Sequence, residues 1–233
     1  MSPSNHRPNR SRTAFATTAL TLVFAALAAV VARPTLVAAR TTVPVASTAP
    51  ATPSDRWLAV VAGKKHRQLF DTPAPGGGIA LVHILNYYET LNKAYNVKDA
   101  DIGGIGTFYG ATTFYGLNDA MWAKYRLGEF LDTNDPATGK PAVVNPWRKA
   151  PVVLGMTLPQ ASVESLQARG ATFILCNNAL TIFAGLLAKS RGLDANAVYA
   201  DLAANILPRV ELIPGMVVAI EQAQNAKISY HRQ

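Results

Sequence analysis

The chain of 233 residues holds one cysteine, Cys176, in the run Phe173-Ile174-Leu175-Cys176-Asn177-Asn178. Residues 171–175 read as a fully buried strand, and Leu180, Phe183, Ala184 and Leu187 mark a helix after it. The sulfur is therefore expected at the carboxyl end of a strand, beside a helix N-terminus whose free N–H groups and dipole favour an anion. Thiolate is the nucleophilic form of cysteine, and such surroundings lower a thiol pKa from about 8.5. Asn177 or Asn178 would cap the helix. The competing reading is an inert thiol, because free cysteine is among the most buried residue types. A lone cysteine makes no internal disulfide and no cysteine-based zinc cluster, while an intermolecular disulfide stays open.

A second candidate is Pro75-Gly76-Gly77-Gly78, directly before helical periodicity that begins at Ile79. Backbone N–H groups of Gly76, Gly77 and Gly78 could cradle a phosphate, sulfate or carboxylate; a tight turn without a ligand is the alternative. No Gly-Lys-Ser/Thr follows, and Gly103-Gly104-Ile105-Gly106 misses the dinucleotide spacing. His66, His83 and His231 lack metal-ligand spacing, and His83 reads as a structural, hydrogen-bonded histidine flanked by Asn86 and Thr90. There is no Gly-x-Ser-x-Gly elbow, paired-carboxylate motif or His-Glu-x-x-His. Neither a metal nor a cofactor is implied.

The elements that hold these residues must come after an address. Residues 1–12 are polar and basic, and residues 13–32 carry no charge and are rich in Ala, Leu, Val and Phe. This is the layout of a secretory signal, cleavable after Ala32 or Ala39. An uncleaved anchor is the alternative, since 20 apolar residues span about 30 Å of hydrocarbon and the basic flank stays in the cytoplasm. Either way the domain lies in the periplasm or is otherwise exported, and touches membrane only through this segment. Residues 1–39 form the signal or anchor, 40–56 a Pro/Ala/Thr-rich linker, and 57–233 the domain. The net charge of +8 falls to +4 without residues 1–39, leaving 18 basic residues against 14 acidic; nucleic acid is not an expected partner. With 49% hydrophobic and 15% charged residues, the domain can bury one sizeable core.

Along the domain, strands are expected at 66–70, 100–109, 171–175, 210–213 and 227–230, with a brief extension at 152–154. Helices are expected over 79–96 (Leu81, Leu85, Tyr88 and Tyr95 on one stripe), 112–131, 159–169, 179–190, around 198–206, and 216–225. Residues 132–158 are punctuated by Asp, Asn, Pro and Gly and read as an inserted loop. Short apolar strands alternating with amphipathic helices predict an α/β fold: an open, mostly parallel sheet with helices on both faces. Ligands in such sheets bind beyond the carboxyl ends of the strands.

The segment from Gln167-Ala168-Arg169-Gly170 through Cys176-Asn177-Asn178-Ala179-Leu180 resembles the helix, Gly, strand, Cys, helix segment of DsrE/DsrF-like proteins. So do Val210-Glu211-Leu212-Ile213-Pro214-Gly215-Met216, the closing Lys227-Ile228-Ser229-Tyr230, and the opening glycine loop with Ala80-Leu81 and Asn86. The resemblance covers about residues 66–231 and fits poorly over 132–158. It implies a flavodoxin-like three-layer sandwich, assembly into homo-oligomers (trimers or hexamers), and a persulfide carried on a cysteine between a sulfur donor and an acceptor protein. Cys176 is the residue that matches that role. Export separates this chain from cytoplasmic sulfur relays, so a non-catalytic ligand-binding or accessory subunit of an extracytoplasmic complex stands as the alternative.

Overall fold

The structure, a computed structural model, describes residues 56–233. The signal or anchor reading and nearly all of the linker fall on residues 1–55, outside the described residues. The chain begins with α1 (Arg56–Ala62), β1 (His66–Asp71), α2 (Ile79–Tyr95) and β2 (Ile102–Phe108). Two short helices follow, α3 (Asp119–Lys124) and α4 (Leu127–Phe130), and then a small hairpin, β3 (Val152–Val153) with β4 (Met156–Thr157). The remainder is α5 (Val163–Ala168), β5 (Thr172–Cys176), α6 (Asn177–Arg191), α7 (Ala195–Ala204), β6 (Val210–Ile213), α8 (Met216–Asn225) and β7 (Ser229–Arg232).

Five strands form one parallel sheet in the order β6-β5-β2-β1-β7. The chain steps in one direction from β1 to β6 and then returns to add β7 outside β1. Because parallel crossovers are right-handed, a reversal of direction moves the crossover helix to the other face. Accordingly α8 joins α1 on one side, where Trp57, Val61, Met216 and Ala219 pack against Leu69, Ile105, Ile174 and Ile213. The opposite face, with Phe70, Phe108, Phe173 and Leu175, is covered by residues of α2 and α6 such as Leu81, Ile84, Leu180 and Ala184. The result is an α/β sandwich with helices on both faces.

β2 lies at the centre and is buried along its whole length. Its glycines serve packing rather than phosphate binding. A Cβ on Gly104 would sit 2.9 Å from the Tyr88 ring, and one on Gly106 would sit 2.4 Å from the Phe173 ring. No turn forms at Gly103-Gly104-Ile105-Gly106, which pairs as strand with both neighbours.

Three expected helices differ in the structure. The helix over 112–131 is a 3-10 segment, Gly110–Gly116, followed by α3 and α4. Asn118 starts α3 by accepting the Met121 N–H at 3.2 Å, and Arg126, at φ 50°, breaks the path into α4. Phe114, Leu117, Met121 and Tyr125 are all buried, so their spacing reported burial rather than one continuous helix. The helix over 159–169 contracts to α5, with Ser162 accepting the Ser165 N–H as its cap. In α2 the stripe runs through Ile84, and Tyr95 is 69% exposed at the helix end.

Gly106→Ala is expected to cost about 1–3 kcal/mol by overpacking β2 against Phe173. Gly185→Ala, in the interior of α6 with nothing within 4 Å of its added Cβ, is expected to stabilise by about 0.5–1 kcal/mol. Urea unfolding of the two variants checks both signs.

Candidate functional site

Parallel strands deliver their carboxyl ends to one edge, and the segment 132–158 folds over that edge near the end of β1. It has almost no regular structure, so specific contacts must hold it. Gly128 allows the closest approach: a Cβ there would lie 2.4 Å from the backbone N and O of Ala142. Asn145, 4% exposed, donates from Nδ2 to the carbonyls of Tyr115 and Leu117 at 2.7 Å each, and its Oδ1 accepts the Trp147 N–H at 2.9 Å. Arg148 makes a two-pronged ion pair with Asp119, with Nε 2.9 Å from Oδ1, and donates from Nη1 to Glu164 at 2.7 Å. Burial works against the Asp119 charge, but hydrogen bonds from Arg148 and the Asn145 N–H, with the positive charges of Arg148 and Lys149, outweigh it. The carboxyl is held below its usual value.

Between this segment and the start of α2 lies a cleft of about 590 Å³. Gly77 and Gly78 line one side, and Tyr115, Trp147, Val144 and Val152 line others. All three glycines have positive φ: 49° at Gly76, 63° at Gly77 and 84° at Gly78. Gly78 has a steric reason too, since a Cβ there would approach Val153 at 3.1 Å and the Trp147 indole nitrogen at 3.4 Å. Gly77 faces open space, while Gly76 sits outside the cleft lining. Two of the three glycines of the tight turn, Gly77 and Gly78, thus also form part of the cleft wall.

Cys176 occupies a different place. It ends β5 opposite Ile213 of β6 and points into the α1/α8 side of the sheet, 5% exposed, with Tyr109 packed against the same apolar cluster. Neither Asn177 nor Asn178 caps α6. The helix starts at Asn177, and the Cys176 sulfur is itself the cap, accepting the Ala179 N–H at 3.4 Å. Sγ also accepts the Met216 N–H at 3.3 Å, from the first residue of α8. Asn177 is 8% exposed, and its Oδ1 accepts the Tyr199 hydroxyl at 2.6 Å. Asn178 is exposed and donates its N–H to the Pro214 carbonyl at 3.2 Å. The structure therefore brings Cys176, Asn177 and Asn178 to the turn before α8, and Gly77 and Gly78 to the cleft, without joining the two groups.

Sequence reasoning missed two features at this edge. The cleft's polar anchors, Asn145 and Arg148, stand in the Asn-Pro-Trp-Arg run of the insertion, where the tryptophan was a usable signal of a packed loop. Asp71, 3% exposed, accepts the Tyr230 hydroxyl at 2.5 Å through Oδ2, and its Oδ1 has no partner among the described residues. Burial and a hydrogen bond to Asp71 raise the Tyr109 hydroxyl above its usual pKa. His83 bonds Gln233, with 2.5 Å between Nδ1 and Oε1, and stacks on His231 at 5.4 Å, while Asn86 and Thr90 bond each other. Among the described residues no group of three His, Cys, Asp or Glu could hold a metal ion.

No family model and no curated protein matches this chain. Among solved structures, a protein of unknown function, MTH1491 from Methanobacterium thermoautotrophicum, aligns with 72% of this chain and 100% of its own, at 15% identity and a TM-score of 0.35. Among the described residues no helix is long and apolar enough to cross a membrane.

Arg148→Leu is expected to cost about 1–3 kcal/mol by leaving Asp119 without its partner. The sign of the pH effect follows from the lowered Asp119 pKa. The pair's contribution is complete above the unfolded carboxyl value of about 3.9 and is lost as pH falls through the lower folded value. Hydrogen exchange at the Asn145 amide, which donates to Asp119 at 3.1 Å, should therefore accelerate relative to its intrinsic rate only in strong acid in the native chain, and at all pH values in Arg148→Leu.

Proposed function

We propose that this protein is an exported, DsrE/DsrF-like carrier of sulfur on Cys176, within a flavodoxin-like sandwich. The observation that carries the reading is the seat of the sulfur: N–H groups from Ala179 and Met216, at the starts of two long helices, both point at Sγ. Backbone donors and helix N-termini stabilise negative sulfur. Two of the segments that carry the family resemblance, 167–180 and 210–216, meet at this atom, where Met216 bonds Cys176 from 40 residues away. In the step proposed, the Cys176 thiolate attacks the outer sulfur of a polysulfide or thiosulfate. A sulfur–sulfur bond forms on Cys176 as the donor's bond breaks, and the donor leaves as a shortened polysulfide or as sulfite. An acceptor thiolate then takes the outer sulfur and releases Cys176 as thiolate, with no other oxidant or cofactor.

Val217 and Val218, 77% and 53% exposed directly after Met216 at the start of α8, support self-assembly or docking of a partner beside the thiol. At 5% exposure the sulfur is nearly covered in the fold, so accessibility is the property to measure. A second reading, a non-catalytic ligand-binding or accessory subunit, is favoured by the cleft beneath the inserted segment, which is built without the thiol.

Treatment with polysulfide should add 32 Da to the native protein and nothing to Cys176→Ser, by intact-mass spectrometry under native labelling. Equal adducts on both proteins, or reaction of Cys176 only after denaturation, would overturn the carrier assignment.

A further inference from the structure

We infer that the cleft beneath the inserted segment is a binding site for an uncharged, mostly apolar small molecule bearing a flat ring system. The inference rests on the ligand-binding reading and is independent of Cys176. Its volume of about 590 Å³ falls in the middle of the range that encloses drug-sized ligands. Side chains such as Trp147, Tyr115, Val144, Pro146 and Val152 make much of its wall apolar or aromatic. Tyr115 and Trp147 stand with ring centroids 4.2 Å apart and are almost fully buried in the fold, so they form a rigid aromatic floor.

The charges of the lining give the class. Four formally charged side chains border the cleft, the acids Asp119 and Asp135 and the bases Arg148 and Lys149. Asp119 and Arg148 are already bound to each other, and Arg148 is further occupied by Glu164. A charged guest would give up hydration and meet a wall of balanced charge. An uncharged guest loses little and gains apolar contact. The wall and the segment that carries it agree with this: Val144 on the cleft wall is 50% exposed, and outside the lining the same excursion of the chain exposes Val143 (61%), Leu154 (82%) and Met156 (55%). Such a concentration of large apolar side chains on one excursion of the chain has no role in the core of this domain.

The test compares two probes with the same aryl framework, uncharged N-phenyl-1-naphthylamine and its anionic sulfonate, 8-anilino-1-naphthalenesulfonate, titrated into the full chain. The uncharged probe should bind saturably, one per chain, and at least tenfold more tightly than the sulfonate. Val144→Asp, an exposed position on the cleft wall, should weaken the uncharged probe at least fivefold, whereas Val217→Asp on α8 should leave it unchanged. If both probes bind equally and Val144→Asp weakens both, the preference for uncharged ligands is overturned while the cleft remains a binding site. If neither probe saturates, or if Val217→Asp and not Val144→Asp removes binding, the cleft reading itself is overturned.

Discussion

Five strands running the same way bring five carboxyl ends, and the N-termini of the helices that follow them, to one edge of the sheet. That alignment is the constraint from which the chemistry of this domain follows. Helix N-termini leave N–H groups without partners in the helix. At the end of β5 two of these groups, on Ala179 and Met216, turn to the sulfur of Cys176. At the end of β1 the chain makes a glycine turn instead, and the wall of a cleft results. The alignment depends in turn on β2, which is covered on both faces and can lie flat against Tyr88 and Phe173 because Gly104 and Gly106 lack side chains.

The alternation of a strand separates the two groups. Successive residues point to opposite faces, so Leu175 enters the core with Phe108 and Phe173, while Cys176 enters the smaller core with Trp57 and Met216. The thiol therefore belongs to the layer made by α1 and α8, and the cleft to the layer that begins with α2. The reversal of chain direction after β6 carries α8 to the thiol's side. Without that reversal the Met216 N–H would not reach the sulfur.

The inserted segment shows how an irregular stretch acquires one shape. It spends few residues on ladders and relies on polar side chains that bond backbone at both ends. Asn145 replaces what a strand partner would have supplied to Tyr115 and Leu117, and Arg148 ties the segment to α3 and α5 through Asp119 and Glu164. Such contacts rigidify a wall while leaving space beside it, which a helix packed on the same edge would have filled.

From the chain alone, short-range signals were enough for most of the architecture. Residues 210–213 and 216–225 read as strand and helix with their observed bounds, because a Pro-Gly turn stands between two clean periodicities. The glycine stop before residue 171 and the apolar run after it likewise identified β5 and placed Cys176 at its end. The stretch over 112–131 misled for a physical reason: burial in an irregular segment can repeat at helical spacing, and the break at Arg126 has no Gly or Pro to announce it. Strand order, the face each residue joins and the partners of the sulfur were decided by tertiary structure. They depend on crossovers and contacts between residues tens of positions apart, such as Met216 with Cys176 and Asn145 with Tyr115, which no local pattern encodes.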